Sequence, residues 1–339
     1  MSEYLITLQT NDAQKVQFNC ADQENVISAA ERQGIRLPQQ CRNGVCGFCT
    51  AARLSGEYEL HDYHEAALTA DQREQGEVLL CRTYPRGDLH LTTDYPYSSI
   101  EFGLYSQVTV QILQKEWVTD QVIHFIVQQL DHLDDLLSAK INAGQYVYLS
   151  SMDKKIERAY SIANSSNWTG TLSFFIQLWP KGQFSQHLQQ LAINDTLLAK
   201  GTYGEFLLQE TGLKPRWFIA GGTGLSPILA MLQQMAECGE PHPVRLFFGV
   251  RHESELFAQA QFAELAQQLP DFQYQYCVSR PSADGAYPAR SVVQAVDAAL
   301  REANVKPDLY ICGSNRLVEG IHFVAQQHDI AHVFFERFG

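Results

Sequence analysis

Eight cysteines occur in this 339-residue chain, and four are spaced for metal chemistry. Cys41, Cys46 and Cys49 fall in the loop Cys41-Arg42-Asn43-Gly44-Val45-Cys46-Gly47-Phe48-Cys49, with Cys81 far downstream. The C-x4-C-x2-C…C spacing suits a [2Fe–2S] cluster, whose irons take tetrahedral thiolate ligation. Gly44 and Gly47 suit a loop that wraps such a cluster, since backbone amides approach sulfur closely where no Cβ intervenes. Structural zinc is the alternative; it usually takes two close C-x2–4-C pairs, a pattern this spacing does not repeat. Disulfides are not expected, because Met1-Ser2-Glu3-Tyr4 has neither the basic nor the apolar region of an export signal. Cys20, Cys238 and Cys277 read as small apolar core residues. A cluster of this kind carries single electrons, so the rest of the chain is read for their source.

Ala220-Gly221-Gly222-Thr223-Gly224-Leu225-Ser226-Pro227 follows an apolar run and precedes a helical pattern. Glycines let backbone pass close to a pyrophosphate, and the helix N-terminus offers free amides and a positive dipole end. Pro227 fits the first helical turn, where no amide is needed. Upstream stand Arg158-Ala159-Tyr160-Ser161 and Lys181-Gly182-Gln183-Phe184-Ser185. Taken alone, each is more often packing or a helix N-cap. Together they offer a flavin an aromatic face, a hydroxyl, an arginine and helix amides. His61, Asp62 and His64 form a cluster without metal-ligand spacing and read as a solvated loop.

The elements that must position these groups change character along the chain. Tyr4, Ile6 and Leu8 alternate with polar residues, as do Val16, Phe18 and Cys20, which predicts a hairpin. A short helix is expected over 25–32. The first domain is expected over 1–94, and the Pro/Ser/Tyr-rich stretch opening 95–104 reads as a linker. Over 105–210, short apolar runs (106–111, 122–128, 146–150, 172–178) separated by turns predict an antiparallel barrel or sandwich. Over 211–339, buried-strand runs (217–220, 244–250, 272–278, 309–312) alternate with helical stretches (228–237, 256–269, 291–303). That alternation predicts a doubly wound parallel sheet.

Composition narrows the function classes. A net charge of −13 argues against a nucleic-acid partner. Residues 1–94 hold 14 acidic against 8 basic residues, either for solubility or to meet a basic redox partner. No apolar run approaches the roughly 18 residues of a membrane helix, so a soluble, cytoplasmic protein is expected, with no membrane partner.

The motifs Arg158-x-Tyr160-Ser161, Gly182-x-x-Ser185, Gly201-x-x-Gly204-x-Phe206, Gly222-x-Gly224-x-x-Pro227 and Cys312-Gly313 fall in the order seen in the ferredoxin–NADP⁺ reductase superfamily. Gly144-Gln145-Tyr146 also resembles an element of its flavin barrel. With the cysteine motif in front, the whole chain resembles the reductase component of a multicomponent oxygenase, of the benzoate (or toluate) 1,2-dioxygenase type. The resemblance implies an α+β ferredoxin (β-grasp) domain, an antiparallel β-barrel FAD domain and an α/β doubly wound nucleotide-binding domain. It implies Cys41, Cys46, Cys49 and Cys81 as cluster ligands, and Arg158, Tyr160, Ser161, Gly182 and Ser185 around FAD. It also implies Gly222, Thr223, Gly224, Pro227, Cys312 and Gly313 around NADH. Ser161, Cys312 and Glu336 would flank the hydride path. Phe338 would shield the flavin ring, with Phe335 as the other candidate in Phe334-Phe335-Glu336-Arg337-Phe338-Gly339. The implied activity is NADH-dependent electron transfer, through FAD and the cluster, to a terminal oxygenase. Reductases of soluble di-iron monooxygenases and of deoxysugar dehydrases are the alternatives.

Overall fold

The computed structural model describes residues 2–338; Met1 and Gly339, the ends of the expected first and third domains, lie outside it. The chain forms two compact units, divided after Tyr105.

In the first unit, β1 (Glu3–Gln9) and β2 (Lys15–Ala21) form the expected hairpin, with Ile6 opposite Phe18 and Leu8 opposite Val16. Their alternate side chains, Cys20 included, enter one core. The helix α1 (Val26–Arg32) starts where the Asn25 side chain accepts the Ser28 amide at 2.9 Å. Strands β3 (Thr50–Ser55), β4 (Glu77–Leu79) and β5 (Leu89–Thr92) complete a sheet of order β2-β1-β5-β3-β4, in which β1 and β5 run parallel. This is a β-grasp arrangement. The 95–104 stretch, expected as a linker, packs as part of this unit. Ile100 is buried, the Gly103 amide donates to Gly34 at 2.8 Å, and Glu101 and Phe102 pair with Arg36 and Ile35.

The second unit begins with six antiparallel strands: β6 (Ser106–Trp117), β7 (Val122–Gln129), β8 (Tyr146–Ser150), β9 (Glu157–Ser161), β10 (Thr171–Gln177) and, after helix α2 (Gln183–Gln190), β11 (Thr196–Tyr203). Their order, β9-β8-β11-β6-β7-β10, curls into a nearly closed barrel. Inward residues such as Val110, Phe125, Val147, Phe174 and Leu197 fill it.

The nucleotide-binding half alternates β12 (Arg216–Gly221), α3 (Leu225–Cys238), β13 (Val244–Val250), α4 (Gln259–Gln268), β14 (Phe272–Val278), α5 (Val292–Glu302), β15 (Asp308–Ser314), α6 (Asn315–Gln327) and β16 (Val333–Phe338). All five strands are parallel, in the order β14-β13-β12-β15-β16. Phe218 and Ala220 face one core with α3 and α4, while Trp217 and Ile219 face the other with α5 and α6. Helix α4 is shorter than the expected 256–269, because Ala258 takes a left-handed φ of 65° just before it. Cys238 is a further correction: it ends α3 exposed and is not a core residue.

Candidate cofactor sites

The cysteine loop leads into β3, and Cys81 lies in the turn after β4, which pairs with β3. Sheet pairing therefore brings the distant fourth thiol to the loop. Cys49 and Cys81 are buried, and Cys41 and Cys46 are partly exposed. The thiols group by twos, Cys41 with Cys46 and Cys49 with Cys81, each pair hydrogen-bonded. The bond from the Cys46 thiol lowers Cys41 and raises Cys46, and the bond to Cys81 raises Cys49. These free cysteines stand where a bound cluster would have thiolates. Two pairs match two sulfide-bridged irons; among the described residues, no three His, Cys, Asp or Glu side chains are grouped for one ion.

Backbone amides already face the sulfurs. Asn43 and Val45 donate to Cys41 Sγ at 3.4 Å, and Phe48 to Cys46 Sγ at 3.4 Å. Gly44 and Gly47 take φ of 72° and 77°, and a Cβ on Gly44 would meet Tyr63 and Arg82 inside 3.0 Å. The glycines are thus needed for backbone direction and close packing as well as for sulfur approach. His61 stacks on Tyr84 at 3.7 Å and His64 accepts the Ala66 amide at 3.2 Å, so both serve local structure.

In the second unit, register assembles the site. Ala220, Cys312 and Glu336 sit side by side on β12, β15 and β16. They lie at the strands' C-terminal ends, where the order turns around β12 and an open α/β sheet binds its ligand. Ser161, at the end of β9, donates its hydroxyl to Glu336 Oε2 at 3.1 Å, and the Cys312 thiol donates to the same oxygen at 3.8 Å. One buried carboxylate thus gathers the three residues expected along the hydride path. Burial, reinforced by the Glu336 charge, pushes the Cys312 thiol well above the ordinary thiol range. It stays neutral.

The glycine-rich turn is held tightly from below and open above. A Cβ on Gly224 would stand 2.3 Å from the Cys312 carbonyl oxygen, and one on Gly313 would stand 2.8 Å from Leu317. A Cβ on Gly222, where φ is 55°, would meet nothing within 4 Å. Thr223 completes the turn and Pro227 falls in the first turn of α3. Ser226 Oγ, on a residue 2% exposed, has no partner. An orphaned buried hydroxyl at a helix N-terminus fits a phosphate group. Sequence reasoning passed over this serine because a lone hydroxyl inside a glycine motif carries no signal of its own.

Among the residues expected around FAD, Tyr160 lies 5.5 Å from the Phe184 ring of α2, which joins the β9 end to the Gly182 turn. Burial raises the Tyr160 phenol. Ser185 accepts the Trp179 amide at 3.0 Å, so its oxygen shapes the turn that precedes the helix amides. Arg158 is exposed on β9, its Nη1 donating to the Glu157 carbonyl at 3.0 Å. The remaining motifs are packing partners: a Cβ on Gly144 would strike the Phe206 carbonyl at 1.8 Å, and one on Gly204 would meet the Tyr146 ring at 3.1 Å. On β16, Phe338 shares the core face of Phe334 and Cys312. Phe335 packs on the other face, 4.9 Å from His322.

A two-paired thiol loop, a barrel with an aromatic-hydroxyl strand end and a glycine turn on a parallel sheet define a flavin- and iron–sulfur-dependent oxidoreductase. Residues 9–86 match the 2Fe-2S iron-sulfur cluster binding domain, 109–207 the oxidoreductase FAD-binding domain and 218–322 the oxidoreductase NAD-binding domain. The chain is similar to the toluate 1,2-dioxygenase electron transfer component of Pseudomonas putida, 33% identical with 93% of this chain and 92% of the relative covered. It is also similar to methane monooxygenase component C of Methylosinus trichosporium, 36% identical over 79% of this chain and 78% of that one. The Amycolatopsis cytochrome P450 reductase GcoB shares the fold, with a TM-score of 0.80 at 23% identity and 98% of both chains covered. The chain belongs to the family of oxygenase electron transfer components, in which a ferredoxin domain precedes a ferredoxin–NADP⁺ reductase-like module. It is an oxidoreductase using a [2Fe–2S] cluster, FAD and NAD(H). Among the described residues, no helix is long and apolar enough to cross a membrane.

Proposed function

We propose that the protein oxidises NADH and delivers single electrons to the terminal oxygenase of an aromatic ring-hydroxylating dioxygenase, of the benzoate type. The observation that carries the hydride half is Glu336, which holds both Ser161 and Cys312. When bound, FAD takes electrons from NADH in pairs and the cluster accepts them singly. The protein's part is to hold these groups. Cys41, Cys46, Cys49 and Cys81 would ligate the irons. Tyr160 would lie against the flavin ring, and Ser161, its hydroxyl oriented by Glu336, would present a hydrogen-bonding oxygen at the ring edge. Arg158 and the amides of the Gly182–Ser185 turn would hold the FAD phosphates. The Gly222-Thr223-Gly224 turn, with Pro227 opening α3, would take the dinucleotide phosphates. Cys312 and Gly313 would offer the nicotinamide a close, neutral floor, and Phe338 would cover the flavin from Glu336's face of β16.

NADH is proposed over NADPH, although Ser279-Arg280 resembles a pair that binds the 2′-phosphate of NADP(H) in some relatives. The Ser279 hydroxyl is turned to the Val250 carbonyl at 3.3 Å, and Glu253 bonds Ser282 and the Tyr287 amide at 3.3 Å each. A carboxylate in that loop disfavours a 2′-phosphate. A cytoplasmic location and domains of 1–94, 105–210 and 211–339 belong to the same reading, with 95–104 packed on the first of them. The methane monooxygenase relative, at 36% identity, favours a second reading, in which the acceptor is a di-iron hydroxylase.

The test is an anaerobic NADH titration followed by absorbance, then turnover with each class of terminal component. Flavin bleaching with partial loss of iron–sulfur absorbance is expected. Flavin without iron–sulfur absorbance in protein kept anaerobic would overturn the electron path. Faster turnover with a di-iron hydroxylase would transfer the assignment to the second reading.

A further inference from the structure

Three arginines of the first unit are half-buried among the described residues: Arg36, Arg42 and Arg82. Two have carboxylate partners, Arg36 with Glu101 at 2.8 Å and Arg42 with Glu31 at 2.6 Å. Arg82 has none, and its Nε is buried without an acceptor. A cation partly removed from water with an unmet donor is costly unless something supplies the opposite charge.

The position of Arg82 shows what can supply it. It directly follows Cys81, and its carbonyl is fixed by the His61 amide at 2.9 Å. Its stem crosses the cysteine loop: a Cβ on Gly44 would lie 2.7 Å from Arg82 Cγ and 3.1 Å from Cδ. The guanidinium, one bond beyond Cδ, is therefore tethered at the turn between Cys41 and Cys46. Two ferric ions, two sulfides and four thiolates together make an anion, and one added electron makes it more negative. A neighbouring fixed cation stabilises the reduced form more than the oxidised one, which raises the reduction potential.

We propose that Arg82 is the counter-charge of the [2Fe–2S] cluster, held over the cysteine loop to raise the cluster's potential so that electrons leave the flavin for it. The inference rests on the cluster assignment above. The residue acts through its charge, with the stem as spacer.

The test compares wild type, Arg82→Met and Arg82→Lys as full-length holoproteins, using iron content, visible circular dichroism and anaerobic spectroelectrochemistry. Arg82→Met keeps a stem against Gly44 and removes the charge. We expect its cluster to hold about tenfold less of the electron at equilibrium with the flavin, a fall of about 59 mV, while Arg82→Lys recovers most of it. NADH should bleach the flavin equally fast in all three. A wild-type potential in Arg82→Met, or an equal fall in Arg82→Lys, would overturn the proposal. If Arg82→Met assembles no cluster, a loaded Arg82→Lys with wild-type potential supports the charge. Loss of the cluster from both would reduce Arg82 to packing. Wild-type protein without iron–sulfur absorbance would overturn the cluster assignment itself, and the two failures are thereby distinguished.

Discussion

The two units build their sites by opposite routes. In the first, three of four thiols come from one loop, and a single pairing of β3 with β4 delivers the fourth. In the second, Ser161 and Glu336 meet across 175 residues, and only the registers of β12, β15 and β16 bring Ala220, Cys312 and Glu336 level. A local site tolerates imprecision elsewhere in its sheet. A register-built site does not, because a slip of one residue turns Glu336 to the opposite face.

The largest expected effect separates the two sites outright. Cys46→Ser should abolish reduction of a one-electron acceptor such as cytochrome c, while stopped-flow flavin reduction by NADH stays within about twofold. Loss of both activities would mean that the sites are not serial. Next comes Gly224→Ala. Its Cβ would sit 2.3 Å from the Cys312 carbonyl, so the backbone must move, at about 1–3 kcal/mol for overpacking. A raised KM for NADH and a lower Tm should accompany an unchanged cluster spectrum.

Glu336→Gln conserves shape and removes the charge that receives Ser161 and Cys312. With charge-assisted bonds worth about 1.5–3 kcal/mol, flavin reduction should slow roughly tenfold or more, with FAD content retained. A wild-type rate would deny Glu336 its orienting role. A finer comparison uses the faces of β16. Phe338→Ala should alter flavin fluorescence, whereas Phe335→Ala, opposite His322, should lower stability and leave the flavin spectrum unchanged. The reverse result would make Phe335 the shielding ring.

The smallest effect concerns pH. His124 stacks on Phe175 at 4.7 Å and bonds Ser173 at 2.8 Å, and burial lowers its pKa. The unfolded chain therefore binds the proton more readily. Its contribution to stability is present above about 6.5, the ordinary histidine value, and is lost as pH falls through the folded value. The urea midpoint should drop on acidification, and less so in His124→Gln.

Legibility followed the same division. The cysteine loop, the glycine turn and the runs 146–150, 244–250 and 272–278 were readable, because spacing and alternation are local properties. Strands β11 and β16 were not anticipated as strands. β11 contains Lys200, Gly201 and Thr202, and β16 is a parallel edge whose partner, β15, lies across the whole of α6. The resemblance named Glu336, but only the register shows why a carboxylate there reaches Ser161. That Phe335 and Phe338 lie on opposite faces of β16 likewise follows from the alternation of a strand that composition did not reveal. Arg82 carried no motif at all; its interest lies in a missing partner, which no sequence displays.

The span between Ser161 and Glu336 also has a consequence for biosynthesis. At about 5–20 residues per second, a ribosome that has finished Ser161 needs roughly 10–35 s more to reach Glu336. The first unit, complete by Tyr105, has emerged well before that. A nascent chain can therefore acquire its cluster while the proposed hydride site still lacks its carboxylate. The electron outlet is thus complete before the proposed inlet.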